Sequence, residues 1–462
     1  MLAALMASGC NRRPDVGPVL VSAIGKTPAI IDTSRRPADT ASRVFADATA
    51  QGLVRFDAVG QIEPGLAQRW TVIDDGMSYI FRLREAQWAD GSPVTAEQVV
   101  AALKRQVRAA SRNPLAPFLT AVDEIVVMTP QVIEVRLSSP RPDLLKLFAQ
   151  PELALVRPGT RVGSGPMKVV ERGVSPLLRP VADLGRAEPD DRREALPEDD
   201  VRLIGESAAR AIARFAMGKL DLIVGGTFAD WPIMKLAKFA PANIRIDPAA
   251  GLFGLAVVDR SGFLSDATHR LAVARAIDRV AVTAAVTPDW EPADRILPES
   301  LDSAAPPARL DAPAPARGWA PGSVMLRIAM PQSPGATLVF GQVAASLRRI
   351  GVVAQRVPID SPADLKLIDA VAPYDSARWY LATACQPCGA QAQAALEDAR
   401  LAPTRVTRAA AIARADRALA NDIAFIPIAR PLRWSVVSLR LRAWQPNTRA
   451  WHPLNRLRQD AT

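Results

Sequence analysis

Histidine is nearly absent: His269 and His452 are the only two in 462 residues, far apart and with no carboxylate-bearing metal motif beside either. No metal or other cofactor is expected. No G-x-S-x-G, P-loop or H-E-x-x-H segment occurs, so the commoner catalytic chemistries have no residues to carry them. The expectation is a protein that is not an enzyme. No interior run of 18 or more apolar residues exists, so nothing there spans a membrane as a helix. A compact Lys/Arg block is missing too. The net charge of +10 is carried mostly by scattered arginines. That reads as a solvated basic surface, with no nucleic-acid partner. No short internal repeat is visible.

What is present points to a large, well-packed chain. Hydrophobic residues make up 49% of the sequence, enough to bury large cores. The length suits about three domains of roughly 150 residues each. Forty prolines imply many loops and extended segments. The N-terminus, "MLAALMASGC", runs from apolar to small residues to Cys10, then turns polar at "NRRPD". Small residues directly before a cysteine look like the end of a bacterial lipoprotein signal, with Cys10 as the lipid-bearing residue. The other reading is an apolar end with an incidental cysteine.

Local patterns give the elements. "MSYIFRLR" (77–84) alternates, with Tyr79, Phe81 and Leu83 on one side and Arg82 and Arg84 on the other. With "RWTVI" before it, this predicts a hairpin. In "QWADGSPVTAEQVVAALKRQV" (87–107), Asp90-Gly91 forms a tight turn and Thr95 with Gln98 has capping-box spacing. Val99, Leu103 and Val107 then form one apolar helix face. "ARAIARFAMGKLDLIVGG" (209–226) predicts a helix and a buried strand, and "GLFGLAVVD" (251–259) with "ATHRLAVARAID" (267–278) predicts a second such element. His269 falls in the latter helix and reads as a surface or capping residue.

The order of these pieces resembles the extracytoplasmic solute-binding proteins of family 5, the peptide/nickel type that serves ABC importers. The likeness is carried by residues 51–105, by "GSGPMKVV" (163–170), "MGKLDLIVGG" (217–226) and "DATHRLAVARAIDR" (266–279), and by "LRRIGV" (347–352). The resemblance implies an α/β, two-lobed periplasmic binding protein-like fold of cluster C type with an extra inserted domain. Residues 1–16 would be a signal or tether. Lobe 1 would combine 17–42, 163–255 and 425–462; the inserted domain would be 43–162, organised by Trp88; lobe 2 would be 256–424. The implied function is capture of a peptide-like or other small ligand by hinge closure, for delivery to ABC permease subunits. The implied state is a periplasmic monomer, held to the membrane by a lipid anchor.

Peptide-binding members commonly hold the peptide's amino group with an aspartate in a "W-x-x-D-Y-x-D-P" segment. Aligned on Trp379, Ala382 stands at that aspartate. An ammonium buried without a counter-charge costs several kcal/mol. The usual free-amine peptide is therefore disfavoured, with Asp259 or Asp375 as substitutes for the acid. The expected ligand contacts are Trp379, Tyr380, Trp231, Asp259, Arg378 and Trp434, although a tryptophan near a strand end is more often core. Cys385 and Cys388 form C-x-P-C between an expected strand and a helix. A local disulfide beside the cleft, a redox pair and a partial metal site stay open. Two further readings compete: a periplasmic thiol–disulfide protein using that pair, and a non-transport lipoprotein whose own side chains fill the cleft.

Overall fold

A computed structural model describes residues 17–181, 195–301 and 319–458. Cys10 and the N-terminal segment lie outside the described residues. No helix among the described residues is long and apolar enough to cross a membrane.

Three large sheets organise the described residues, beside a small one of Val54–Phe56 and Ile62–Pro64. The first has seven strands, ordered Ile244–Asp247, Arg433–Val437, Leu222–Thr227, Val19–Ile24, Val201–Glu206, Leu177–Pro180 and Met167–Glu171. The second has five, ordered Val352–Pro358, Val324–Met330, Leu365–Val371, Gly251–Val257 and Phe425–Ala429. Between the first and last parts of the seven-stranded sheet, the chain inserts a four-stranded sheet: Ala67–Ile73, Ser78–Leu83, Val132–Leu137 and Val122–Thr129. This is a two-lobed α/β architecture with a third unit set into the first lobe.

The chain passes between the two larger sheets twice, through residues 248–250 and 430–432. Both crossings contain a proline, Pro248 and Pro431, whose fixed φ limits the directions each short link can take. The strands Gly251–Val257 and Phe425–Ala429 pair with each other in the second sheet. The lobe limits therefore fall at these links, rather than after 255 and before 425. Similarly, the helix Thr40–Thr49 buries Ala41, Val44 and Ala48 in the core of the first lobe, with Val21 and Leu203. It belongs there, and the inserted unit begins after it.

The inserted unit shows why Trp88 sits beside a turn and a helix start. Gly91 adopts φ +85°, a conformation glycine accepts without strain. Asp90 accepts hydrogen bonds from the backbone N–H and the hydroxyl of Ser92. Thr95 and Gln98 form the reciprocal capping box of helix Ala96–Val107. The Gln98 Oε1 accepts from both Thr95 N–H and Trp88 Nε1, the latter at 2.8 Å. One side chain thus ties cap to ring, and the ring, 1% exposed, is core.

The lobes are in apolar contact near the crossings. Phe228 follows a first-lobe strand and is 1% exposed. Its ring meets Phe253 edge-on at 4.8 Å and stacks on Trp290 at 6.1 Å, both from the second lobe. Gly335, at the start of helix Pro334–Arg348, donates its N–H to the Ala229 carbonyl at 2.9 Å. A Cβ at Gly335 would stand 1.9 Å from the Phe228 carbonyl oxygen, so only glycine permits this approach. Beside the second crossing, Arg433 of the first lobe grips the carboxylate of Asp369 in the second at 2.8 and 3.1 Å.

Candidate functional site

Most of the residues expected to contact a ligand are core. Trp231 and Trp434 pack edge to face, 6.4 Å apart, at 6% and 1% exposure. Trp434 Nε1 donates to the Thr227 carbonyl, and its ring fills the space beside Gly226. Trp379 and Tyr380 lie on a helix, Ala377–Ala384, and are also buried. The segment is helical because Tyr380, Leu381 and Ala384 then share one face against the core. Cys385 and Cys388 therefore stand between two helices, Ala377–Ala384 and Ala390–Leu401, not between a strand and a helix. Their sulfurs are bonded, with Cα atoms 4.8 Å apart.

Asp259 lies at the end of strand Gly251–Val257 that is remote from the crossing. It caps a turn, accepting from the N–H and hydroxyl of Ser261, with Arg327 at 3.9 Å. The Ser261 hydrogen bonds hold its carboxyl below the ordinary value. These contacts tie it to the loop that follows the strand. The histidines are structural as well. His269 donates from Nδ1 to the Phe263 carbonyl and stacks on that ring, and His452 is paired with Asp247 at 3.1 Å.

Arg378 is the exception. It lines a cavity of about 300 Å³ between the inserted unit and the second lobe, together with Asp143, Asp375, Arg405 and Arg408. The site is brought together from remote parts of the chain. Asp143 closes the Pro-rich turn before helix Leu144–Phe148, Asp375 and Arg378 flank the start of helix Ala377–Ala384, and Arg405 and Arg408 open helix Arg405–Asp422.

Asp375 joins three units at the edge of this cavity. It receives Lys146 Nζ of the inserted unit at 2.8 Å and Arg449 of the first lobe's tail at 2.6 Å. Burial alone would raise its pKa, but the Lys146 hydrogen bond and the Arg449 charge prevail and hold it below the ordinary value. Arg449 also donates to the Ala372 carbonyl. Asp143 behaves oppositely: burial raises its pKa against the pull of Lys146 and Arg408. Arg378 lies over the Phe118 ring at 5.8 Å, and Phe118 in turn meets Tyr374 edge-on. Asp143, Arg405 and Arg408 escaped sequence reading because nothing local marks them. An arginine in an alanine-rich helix reads as a solvated face until its neighbours are known.

A discontinuous first lobe, a continuous second lobe, a unit inserted into the first and a cavity between units define a two-lobed periplasmic binding protein-like fold. The family description "bacterial extracellular solute-binding proteins, family 5 Middle" matches residues 61–371, and the chain belongs to that family. Over 294 residues it is 26% identical to the periplasmic murein peptide-binding protein MppA of Escherichia coli, covering 57% of this chain and 53% of that one. Over 93 residues it is 39% identical to the probable deoxycholate-binding periplasmic protein YgiS of the same organism, covering 20% of this chain and 17% of that one. The matches thus span about half, or less, of these relatives' lengths. Among solved structures, Haemophilus influenzae OppA in complex with RPPGFSPFR superposes with a TM-score of 0.79 at 17% identity, covering 96% of this chain and 99% of that one. NikA of Brucella suis, in complex with Fe(III)-EDTA, gives 0.78 at 16% identity, covering 95% and 99%. These likenesses show the fold.

Proposed function

We propose that this protein is the ligand-capturing component of an ABC importer, acting outside the cytoplasmic membrane. The observation that carries the reading is the three-way junction at Asp375, which ties both lobes and the inserted unit beside the cavity. In such a device the lobes swing about the two links at 248–250 and 430–432. A solute favours the closed form only as far as it binds that form better. The chemistry required is binding, with no covalent step. The cavity volume sits at the small end of ordinary ligand sites. A compact solute therefore suits it better than the nine-residue peptide held by the Haemophilus influenzae protein. Residue Ala382, half-buried on its helix, offers no carboxylate for a free amine. The supporting experiment is native mass spectrometry of protein purified from its own envelope. A co-purifying small molecule is expected; its absence from every preparation, with no closure on any solute of a metabolite library in small-angle scattering, would refute the reading.

Attachment through a lipid on Cys10, action as a monomer and delivery to permease subunits belong to the same proposal. So does a structural role for the Cys385–Cys388 bond, which stiffens the connection between two helices. Mass analysis of non-reduced protein from the envelope is expected to find no free thiol at either position. Free thiols in that material would count against both the role and the oxidising compartment.

Asp375→Asn is expected to loosen the three-way junction. Each pair is partly exposed, so the loss is about 1 kcal/mol, or several-fold in the closed-to-open ratio. Because the folded-state pKa of Asp375 is lowered, its contribution is present above the unfolded carboxylate value of about 3.9 and is lost as pH falls through the folded value. Scattering-derived compactness should therefore depend on acid pH more steeply in the parent protein than in the variant.

A further inference from the structure

We infer that the cavity between the inserted unit and the second lobe takes a small organic oxyanion, a carboxylate or a phosphate ester, on the guanidinium groups of Arg378 and Arg408. The inference rests on the binding-protein reading above and names the class of solute.

The charge arrangement around the cavity is unbalanced. Among the described residues, no carboxylate lies within salt-bridge distance of Arg378 or Arg408. Arg378 is only partly exposed, yet its Nε is buried without a hydrogen-bond partner. The one hydrogen bond described for the Arg408 side chain is a long one, 3.4 Å to the Pro140 carbonyl. A third guanidinium stands close behind. Arg141 is buried and spends its N–H groups on the carbonyls of Pro140 and Arg400. Burial, then the charges of Arg408 and Arg378, push it down to about 10.

The nearby acids do not neutralise this cluster. Glu397 is paired with Arg400, and Asp375 with Lys146 and Arg449. Asp143 is the remaining carboxyl of the lining; among the described residues it makes no salt bridge to Arg378 or Arg408, and burial raises its pKa. It can accept from a hydroxyl or amino group on the same solute. Like-charged guanidiniums held together out of bulk water are costly unless an anion joins them. A planar fork of N–H donors suits an oxyanion in two-point contact. Prolines, alanines, Leu301 and Ile412 give the rest of the lining a mainly apolar surface, with Ser376 and Thr404 adding hydroxyls, which suits a short apolar body.

The test is titration calorimetry on the full chain with a panel of small carboxylic acids, amino acids and glycerol phosphates. Each is paired with its amide or alcohol counterpart, which lacks the oxyanion. At least one oxyanion is expected to bind, with its neutral counterpart weaker by a hundredfold or more, and affinity should fall with added salt. Arg378→Gln and Arg408→Gln should each weaken binding roughly tenfold or more, and Arg378→Lys should restore part of it without restoring two-point geometry. The carboxylate and phosphate arms decide between the two sources of the charge. Binding of no oxyanion, or equal binding by the Arg378→Gln/Arg408→Gln double variant, overturns the inference. If the wild type and the double variant retain the same neutral solute in native mass spectrometry, the oxyanion assignment fails while the binding-protein reading stands. If the wild type retains nothing and closes on nothing, both fail.

Discussion

Phe228→Ala is expected to cost about 3–5 kcal/mol of stability, as large-to-small changes of buried aromatic side chains do. The side chain is 1% exposed and comes from the first lobe, yet its ring contacts belong to Phe253 and Trp290 of the second. Trp290 is itself fixed, donating Nε1 to the Arg430 carbonyl at 2.7 Å on the second crossing. The cavity left by alanine would thus lie at the lobe junction, where walls from two units cannot easily collapse inward together. Urea unfolding should show a lower midpoint, and scattering should show a larger radius of gyration for the ligand-free protein. Phe228→Leu, which keeps most of the volume, should recover much of both. A fully compact and stable alanine variant would mean that the ring contacts do not hold the lobes.

Asp422→Ala is the second large effect, again about 3–5 kcal/mol, because it strands buried positive charge. Asp422 receives Arg260 in two-point contact, at 2.7 and 2.5 Å, and Arg270 at 2.9 Å. Arg270 is only 5% exposed. The same carboxylate accepts the Gly389 N–H at 2.7 Å, fixing the chain directly after Cys388. Burial opposes the charged form, but the Arg260 and Gly389 hydrogen bonds and the two arginine charges outweigh it, so the pKa is lowered. The sign follows: the stabilisation is present above the unfolded value of about 3.9 and disappears as pH falls through the folded one. The gap in unfolding midpoint between parent and variant should be widest near neutral pH and narrow below about pH 4. A pH-independent gap would assign the loss to packing instead.

The legible parts of the fold are those whose signals are short in sequence. Tyr79, Phe81 and Leu83 are buried on one side of their strand while Arg82 is exposed, as the alternation requires. The capping box at Thr95 and Gln98 starts its helix where the spacing placed it. The two helix–strand elements at 208–227 and 251–276 are also where the apolar periods put them. Their partners were less visible. The strands Gly251–Val257 and Phe425–Ala429 read equally well on either side of a lobe boundary, since a wholly buried strand carries no pattern that says which sheet it joins.

The candidate site was the least legible feature. Tryptophans 231, 379 and 434 and Tyr380 are large and sit near element ends, and such residues serve a cleft or a core with the same sequence signature. Only packing distinguishes the two, and here it chose core. Arg378 was identified with them, but its meaning depends on Arg408, Arg141 and Asp143.

By itself, then, the sequence determined the family, the α/β class and the local strand–turn–helix units, because capping, turns and apolar periodicity act over a few residues. The tertiary structure alone decided which strands close each lobe, where the links fall and which charges face the cavity. Those outcomes depend on groups remote in sequence, such as Lys146 and Asp375 or the paired strands Gly251–Val257 and Phe425–Ala429, whose mutual distance no local pattern encodes.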